Sequence, residues 1–325
     1  MKAAIVTAAG KAPAYGDFDK PIARAGEELI SVRASALSQF TKSRASGAHY
    51  SSDGDYPAVA GSDGVGVTQD GRRVYFVLPK APFGSLAAFC PIRAEQCVEL
   101  PDSLDDITAA AIANPGMSAW AALMERARLV AGETVLVNGA TGTAGRLAVQ
   151  LAKYFGAGKV IATGRNMEEL EEVKRLGADV VIPFTLGAQH PSGARDFEEA
   201  LKQVFASGID VVIDYLWGES AKTIIVAIAK SVEDATPVRF VHVGGASREE
   251  NIELPGAALR SSAILLMGSG IKSVSLAAFL KAIKGVFEAV QPADLKIATK
   301  VVPLSEVEAT WENAAGKPRV VFSIP

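Results

Sequence analysis

Cysteine is scarce in this chain: 325 residues hold two, Cys90 and Cys97. Two thiols make no disulfide framework, and their spacing does not suit a Cys-x-x-Cys zinc knuckle. Both read as ordinary core or surface thiols. Long apolar runs are also missing. No stretch offers the roughly 18 uninterrupted apolar residues a membrane span needs, so no membrane partner is expected. Met1-Lys2-Ala3-Ala4-Ile5-Val6 enters an apolar run without a cleavage pattern, and the expected location is a reducing cytoplasm. A basic excess is absent too. Lys plus Arg total 33 against 36 for Asp plus Glu, a formal net charge of -3. A binder of the phosphate backbone normally carries a positive surplus, so no nucleic-acid partner is expected. No fixed-period repeat and no low-complexity tract interrupts the chain.

What remains suits a globular protein of about two domains. Hydrophobic residues are 49% of the chain and charged residues 21%. The first third reads as short strands and turns, at Ala3–Thr7, Glu28–Ala34, Gly64–Thr68 and Arg73–Val77, a pattern of a β-rich, barrel-like domain. A helix opens over Asp105–Ala113, with Asp102 or Ser103 as its cap. The pattern then changes to strand and helix in alternation. Thr134–Asn138, Val160–Thr163, Asp179–Ile182, Asp210–Asp214, Val238–Val243 and Ile264–Met267 read as strands. Arg146–Phe155, Met167–Leu176, Asp196–Phe205 and Glu219–Ala229 read as helices. Alternation of this kind predicts a parallel, doubly wound sheet. The tail returns to mixed structure, with a helical stripe over Ser275–Ala289, a helix near Glu306–Ala314, and strands at Val301–Leu304 and Val320–Phe322.

Gly139-Ala140-Thr141-Gly142-Thr143-Ala144-Gly145 joins the first strand of the alternating region to its helix. The spacing is G-x-x-G-x-x-G. A turn without side chains lets the backbone approach a pyrophosphate, and the helix N-terminus offers unsatisfied N–H groups and a positive dipole end. The strand before and the helix after supply the required context. About 130 residues precede the loop, which argues against a short-chain reductase. The second strand ends in Thr163-Gly164-Arg165-Asn166. An enzyme that uses NAD places Asp or Glu there to hold the ribose 2′-OH. Glycine followed by arginine instead favours a 2′-phosphate, which a guanidinium can grip with a fork of donors. The expected cofactor is NADPH.

Taken together these segments resemble the medium-chain dehydrogenase/reductase superfamily, in its zinc-free quinone oxidoreductase branch. Gly61-Ser62-Asp63-Gly64-Val65-Gly66-Val67 is similar to that family's early glycine-rich strand. Asn114-Pro115-Gly116-Met117-Ser118-Ala119-Trp120 resembles its entry to the cofactor domain, and Ala140–Gly145 its nucleotide loop. Val243-Gly244-Gly245 and Gly268-Ser269-Gly270 resemble the segments lining the nicotinamide. Gly316-Lys317-Pro318-Arg319-Val320-Val321 resembles the terminal strand. The resemblance covers essentially the whole chain. It implies an α/β fold, a Rossmann doubly wound sheet inserted in a β-rich, GroES-like catalytic domain. The implied division is a first catalytic segment at 1–114, a dinucleotide-binding domain at 115–268 and a returning catalytic segment at 269–325.

The resemblance also implies site residues. Cofactor contacts are expected from Asn114, Ser118, Gly139, Thr141, Gly142, Thr143, Ala144, Gly145, Gly164, Arg165, Asn166, Val243, Gly244, Gly268, Ser269, Gly270 and Lys317. Zinc-dependent members need a cysteine and a Gly-His-Glu where this chain has Ser38 and Gly61-Ser62-Asp63. The thiolate and the imidazole are replaced, so no metal is expected. Without a Lewis acid, hydride is expected to go to an acceptor that is already electrophilic, a quinone or an α,β-unsaturated carbonyl. The family's usual Asn and Asp in the first substrate segment are replaced here by Ser38-Gln39-Phe40-Thr41-Lys42. Tyr50, after a Ser-Gly turn and beside His49, is the candidate catalytic residue, as a proton donor; the bland reading is a mobile polar loop. His190 reads as an exposed loop residue. His242 reads as a satisfied strand histidine. The alternative function is a non-catalytic, crystallin-like or regulatory protein of the same fold; a zinc alcohol dehydrogenase is disfavoured by the missing ligands. Ala263-Ile264-Leu265-Leu266-Met267, continuously apolar and expected at a sheet edge, predicts a homodimer.

Overall fold

The computed structural model describes residues 1–49, 52, 54–314 and 316–325. The chain forms two compact units. One comprises Met1–Pro115, Leu280–Pro292 and Ile297–Pro325, the other Gly116–Phe279 and Ala293–Lys296. The first break falls inside a continuous helix, Asp106–Trp120, at its internal Pro115. That helix is capped by Asp105, whose Oδ1 accepts the Thr108 N–H at 2.9 Å. Asp102 and Ser103 lie too far upstream for this role, because a cap must stand immediately before the first helical residue. The second break falls within helix Leu276–Ala289, so residues 269–279 stay with the nucleotide unit. Local bonds explain this. The Ser269 N–H donates to His242 O at 2.8 Å, and Arg126 Nε donates to Gly268 O at 2.7 Å. Ala293–Lys296 also belongs there, held by reciprocal bonds between the Gln150 amide and the Lys296 backbone at 3.1 and 2.7 Å.

The nucleotide unit is built on six parallel strands. They are β1 (Thr134–Asn138), β2 (Lys159–Gly164), β3 (Val180–Pro183), β4 (Val211–Asp214), β5 (Pro237–His242) and β6 (Ala263–Gly268), in the spatial order β3-β2-β1-β4-β5-β6. Helices α1 (Thr143–Tyr154), α2 (Met167–Arg175), α3 (Gly193–Phe205) and α4 (Gly218–Ser231) follow β1 to β4 in turn. Parallel strands are covered on both faces, which is why the middle of β1 is Val135-Leu136-Val137, all fully buried. Strand order reverses between β1 and β4. That reversal opens a crevice at the carboxyl ends of the strands, where doubly wound sheets take their ligands.

The other unit is mainly antiparallel. A seven-stranded sheet contains Glu27–Ala36, Asp63–Val67, Arg73–Val77, Phe89–Arg93, Cys97–Glu99, Thr299–Pro303 and Arg319–Ser323, and a three-stranded sheet contains Lys2–Val6, Ala14–Asp17 and Ala58–Val59. Its core gathers Ile30, Val32, Phe76, Leu86, Trp311 and Phe322 among others. The fold is therefore α/β, with a separate antiparallel sheet domain.

Candidate functional site

The nucleotide loop begins at Gly139, whose φ of +83° lies in the left-handed region that glycine alone enters cheaply. Helix α1 starts at Thr143, three residues before the sequence pattern suggested, so the loop's last glycine sits in the first helical turn. A Cβ at Gly145 would lie 2.7 Å from Ala140 Cα, so only glycine lets helix and loop pack this closely. Gly142 is the N-cap residue; no side chain caps the helix, and its first turn carries no acid. A twelve-residue helix thus presents its positive end without an internal anion. Arg146, which sequence reasoning passed over, braces the loop: Nε donates to Thr141 O at 3.1 Å, and Nη2 pairs with Glu172 of α2 at 2.6 Å. Its only sequence signal was a cation near a helix start, where the dipole disfavours one.

Strand β2 ends at Gly164, which is buried. A Cβ there would stand 2.7 Å from Thr141 Cγ2 and 3.2 Å from Leu170 Cδ2. Arg165 is exposed. Asn166 is the N-cap of α2, its Oδ1 accepting the Glu169 N–H at 3.0 Å. Part of its polar capacity is therefore committed to the helix.

Across the carboxyl ends of the strands runs a polar row that the sequence reading did not assemble. Thr163, Asn138, Asp214 and His242 are direct register partners on β2, β1, β4 and β5. Thr163 Oγ1 donates to Asn138 Oδ1 at 2.7 Å, Asn138 Nδ2 donates to Asp214 Oδ1 at 2.8 Å, and His242 Nδ1 lies 2.8 Å from Asp214 Oδ2. Thr163, Asn138 and Asp214 are fully buried. Beyond the row, the Val243 and Gly244 N–H groups both donate to Asp214 O, at 2.7 and 3.3 Å. The Gly270 N–H donates to Ser273 Oγ at 2.7 Å. Ser118 lies beside Tyr215, whose hydroxyl is pushed up in pKa by burial, with Ser118 partly offsetting the shift. The nucleotide unit therefore carries Ser118, the loop from Gly139 to Gly145, residues 164–166, Val243, Gly244 and residues 268–270. Asn114 and Lys317 belong to the other unit, and Tyr50 lies outside the described residues.

In that other unit, Ser38 and Ser62, which the resemblance sets against zinc ligands, belong to a chain of hydroxyls. Ser38 caps helix Gln39–Ala45 by accepting the Thr41 N–H at 2.9 Å. Its Oγ lies 2.8 Å from Thr41 Oγ1, which lies 2.8 Å from Ser62 Oγ. Ser62 donates to Asp63 Oδ1 at 2.5 Å, and the Tyr75 hydroxyl donates to Asp63 Oδ2 at 2.8 Å. Burial raises the Asp63 pKa, while Ser62, Arg319, Tyr75 and Arg44 oppose the shift. Among the described residues no group of three or more His, Cys, Asp and Glu could hold a metal ion. Cys90 is buried and Cys97 half-buried, and burial pushes the Cys97 thiol up to about 12. Neither is a reactive thiolate.

Residues 144–284 match the family model of a zinc-binding dehydrogenase. Over its whole length the chain is 28% identical to a probable NADPH-dependent quinone reductase, tdiC, of Emericella nidulans, and spans all of that protein. It is 34% identical to an NADPH-dependent alkenal/one oxidoreductase of Arabidopsis thaliana, across 51% of this chain and 47% of that one. Among solved structures, a mycobacterial protein complexed with NADPH superposes with a TM-score of 0.82 at 22% identity, covering 99% of this chain and all of the other. The chain is thus similar to quinone reductases and alkenal/one oxidoreductases, and shares the fold of that solved structure. In this chain the reversal between β1 and β4, the loop of α1 and the row ending at His242 lie at one end of one sheet. Among the described residues, no helix is long and apolar enough to cross a membrane.

Proposed function

We propose that the protein is an NADPH-dependent oxidoreductase that delivers hydride to a quinone or an α,β-unsaturated carbonyl, without zinc. The observation that carries this reading is the end of β2. Gly164 leaves no room for the acid an NAD enzyme would place there, and the exposed Arg165 follows at once. The reduced nicotinamide supplies the hydride. Gly139, Thr141, Gly142, Thr143, Ala144 and Gly145 hold the pyrophosphate against α1, and Arg165 holds the 2′-phosphate. Ser118, Val243, Gly244, Gly268, Ser269 and Gly270 line the nicotinamide end.

The donor set supports zinc-independence. Ser38, Thr41 and Ser62 bring hydroxyls that bond to one another, and Asp63 is a buried carboxyl already taken by two donors. Zinc prefers thiolate, imidazole or a free carboxylate. Strand β6, at the end of the sheet, exposes Leu265 and Leu266 by 50% and 42%. Pairing with the same strand of a second copy would cover it, making a homodimer.

The cofactor assignment is tested by Arg165→Ala. NADPH should bind more weakly by about 1.5–3 kcal/mol, the range for a hydrogen bond to a charged group, while NADH binding stays nearly unchanged. Equal loss for both cofactors would defeat it. Firm NADPH binding with no oxidation by any quinone, enone or aldehyde would instead favour the non-catalytic reading.

A further inference from the structure

The row across β2, β1, β4 and β5 has a direction. Thr163 Oγ1 donates to Asn138 Oδ1, so Asn138 turns its Nδ2 to Asp214 Oδ1 at 2.8 Å and to Ser220 Oγ at 3.0 Å. Asp214 Oδ1 also accepts the Leu216 N–H at 3.1 Å, and the Trp217 N–H reaches both carboxylate oxygens at 3.1 Å. Every one of these neighbours brings a hydrogen, so the carboxylate accepts throughout, and His242 Nδ1 at 2.8 Å carries one as well. Nε2 is then the nitrogen left to exchange a proton with a ligand, a lone pair in the neutral ring and an N–H in the charged one. The ring is held from a second side by Trp217, 4.5 Å away between centroids. Trp217 itself stands at φ +65°, a conformation a non-glycine residue keeps only where its surroundings impose it. The Asp214 side chain is sealed, while that of His242 is 35% exposed. One nitrogen is anchored by a buried carboxylate, and the ring still reaches outward from the carboxyl end of a parallel sheet. Acid–base imidazoles are mounted in this way.

We infer that His242 is the proton donor of the proposed reaction and that Asp214 is its positioning residue. The inference rests on the hydride-transfer reading. Reducing a quinone or an enone adds a hydride at one end of the conjugated system and a proton at the other. Oxidised cofactor and the quinol or saturated carbonyl leave as products. The charged imidazole releases its Nε2 proton to the oxygen anion, giving the quinol directly or, from an enone, an enol that tautomerises in water to the saturated carbonyl; the imidazole regains a proton from water, and the Nδ1–H to Asp214 stays in place. The charged groups near this edge among the described residues include Asp214 from β4, Glu249, which accepts the Glu219 N–H at the start of α4 beside Trp217, and Arg126, which donates to the carbonyl of Gly268, the register partner of His242.

The test has two readouts. The chain contains three histidines, so His242 can be assigned by nitrogen-15 NMR of the cofactor-free protein. It should show the Nδ1–H tautomer, a preference that Asp214→Asn should remove, and the same spectra followed against pH give its pKa. An Nε2–H tautomer overturns the assignment. In turnover, wild-type kcat should decline as pH rises through that measured pKa. His242→Gln should lose roughly a hundredfold in kcat together with that decline, while the NADPH dissociation constant, read by fluorescence, stays within about twofold. An unchanged pH profile in His242→Gln, or a kcat loss matched by an equal loss of NADPH affinity, overturns it. If Asp214→Asn does not fold, His242→Gln decides alone. If the wild type reduces no acceptor while the tautomer is as stated, the hydride-transfer reading has failed, and the donor role falls with it.

Discussion

At position 164 the missing side chain has two causes. One is electrostatic, since a carboxylate would repel a 2′-phosphate. The other is steric, because a Cβ would meet Thr141 Cγ2 at 2.7 Å. Gly164→Asp should therefore destabilise the protein by about 1–3 kcal/mol through overpacking. Thr141→Ser removes the offending methyl and keeps the hydroxyl, so the double variant should recover much of the loss. Denaturant melts of both singles and the double give the coupling, and strictly additive losses would show that this contact is not the cause. A second prediction concerns Asp63. Its folded pKa is raised by burial, so the folded state holds the proton more tightly than the unfolded chain does. Its stabilising contribution is full below the ordinary carboxyl pKa and declines as pH rises through the folded value. Asp63→Asn mimics the protonated form. Relative to wild type it should gain stability as pH rises from about 4 to about 8. A growing cost over that range would mean that Asp63 is ionised against Arg319, Arg44 and the Tyr75 hydroxyl.

Elements were legible where their pattern was dense. β1, β2 and α2 follow from apolar runs and caps within a few residues of their true ends. Ala14–Asp17, Phe89–Arg93 and Cys97–Glu99 were not read, because each is short, mixed in polarity and defined by pairing with a distant segment. Helix Gln39–Ala45 was missed for a different reason: its cap, Ser38, was read as a replaced metal ligand and not as a helix start. β6 is the element on which the proposed dimer rests. Burying a leucine that is now half exposed is favourable, at about 1.5–3 kcal/mol for a fully buried side chain. Leu265→Asp should therefore give monomers or aggregates. Light scattering at micromolar concentration is the check, and a wild-type monomer there would contradict the dimer.

For the whole molecule, the family model describes a zinc-binding dehydrogenase, yet Ser38 and Ser62 are linked through Thr41 as hydroxyls, and Asp63 accepts from Ser62 and Tyr75. Exhaustive chelation should leave turnover intact, and the purified protein should carry far less than one zinc per chain. Stoichiometric metal lost together with activity would sink the zinc-free reading.

The sequence alone determined the parallel-sheet class, the glycine loop between β1 and α1 and the Gly164–Arg165 pair. These depend on neighbours within a turn or two, where spacing and side-chain type are enough. Only the tertiary structure shows what stands behind His242. Its partner Asp214 lies 28 residues away in sequence, and Asn138 stands a further 76 from Asp214. Strand register alone sets them side by side in one row. A histidine in an apolar strand looks satisfied until the fold supplies the buried carboxylate behind it and leaves its other nitrogen pointing away from that carboxylate.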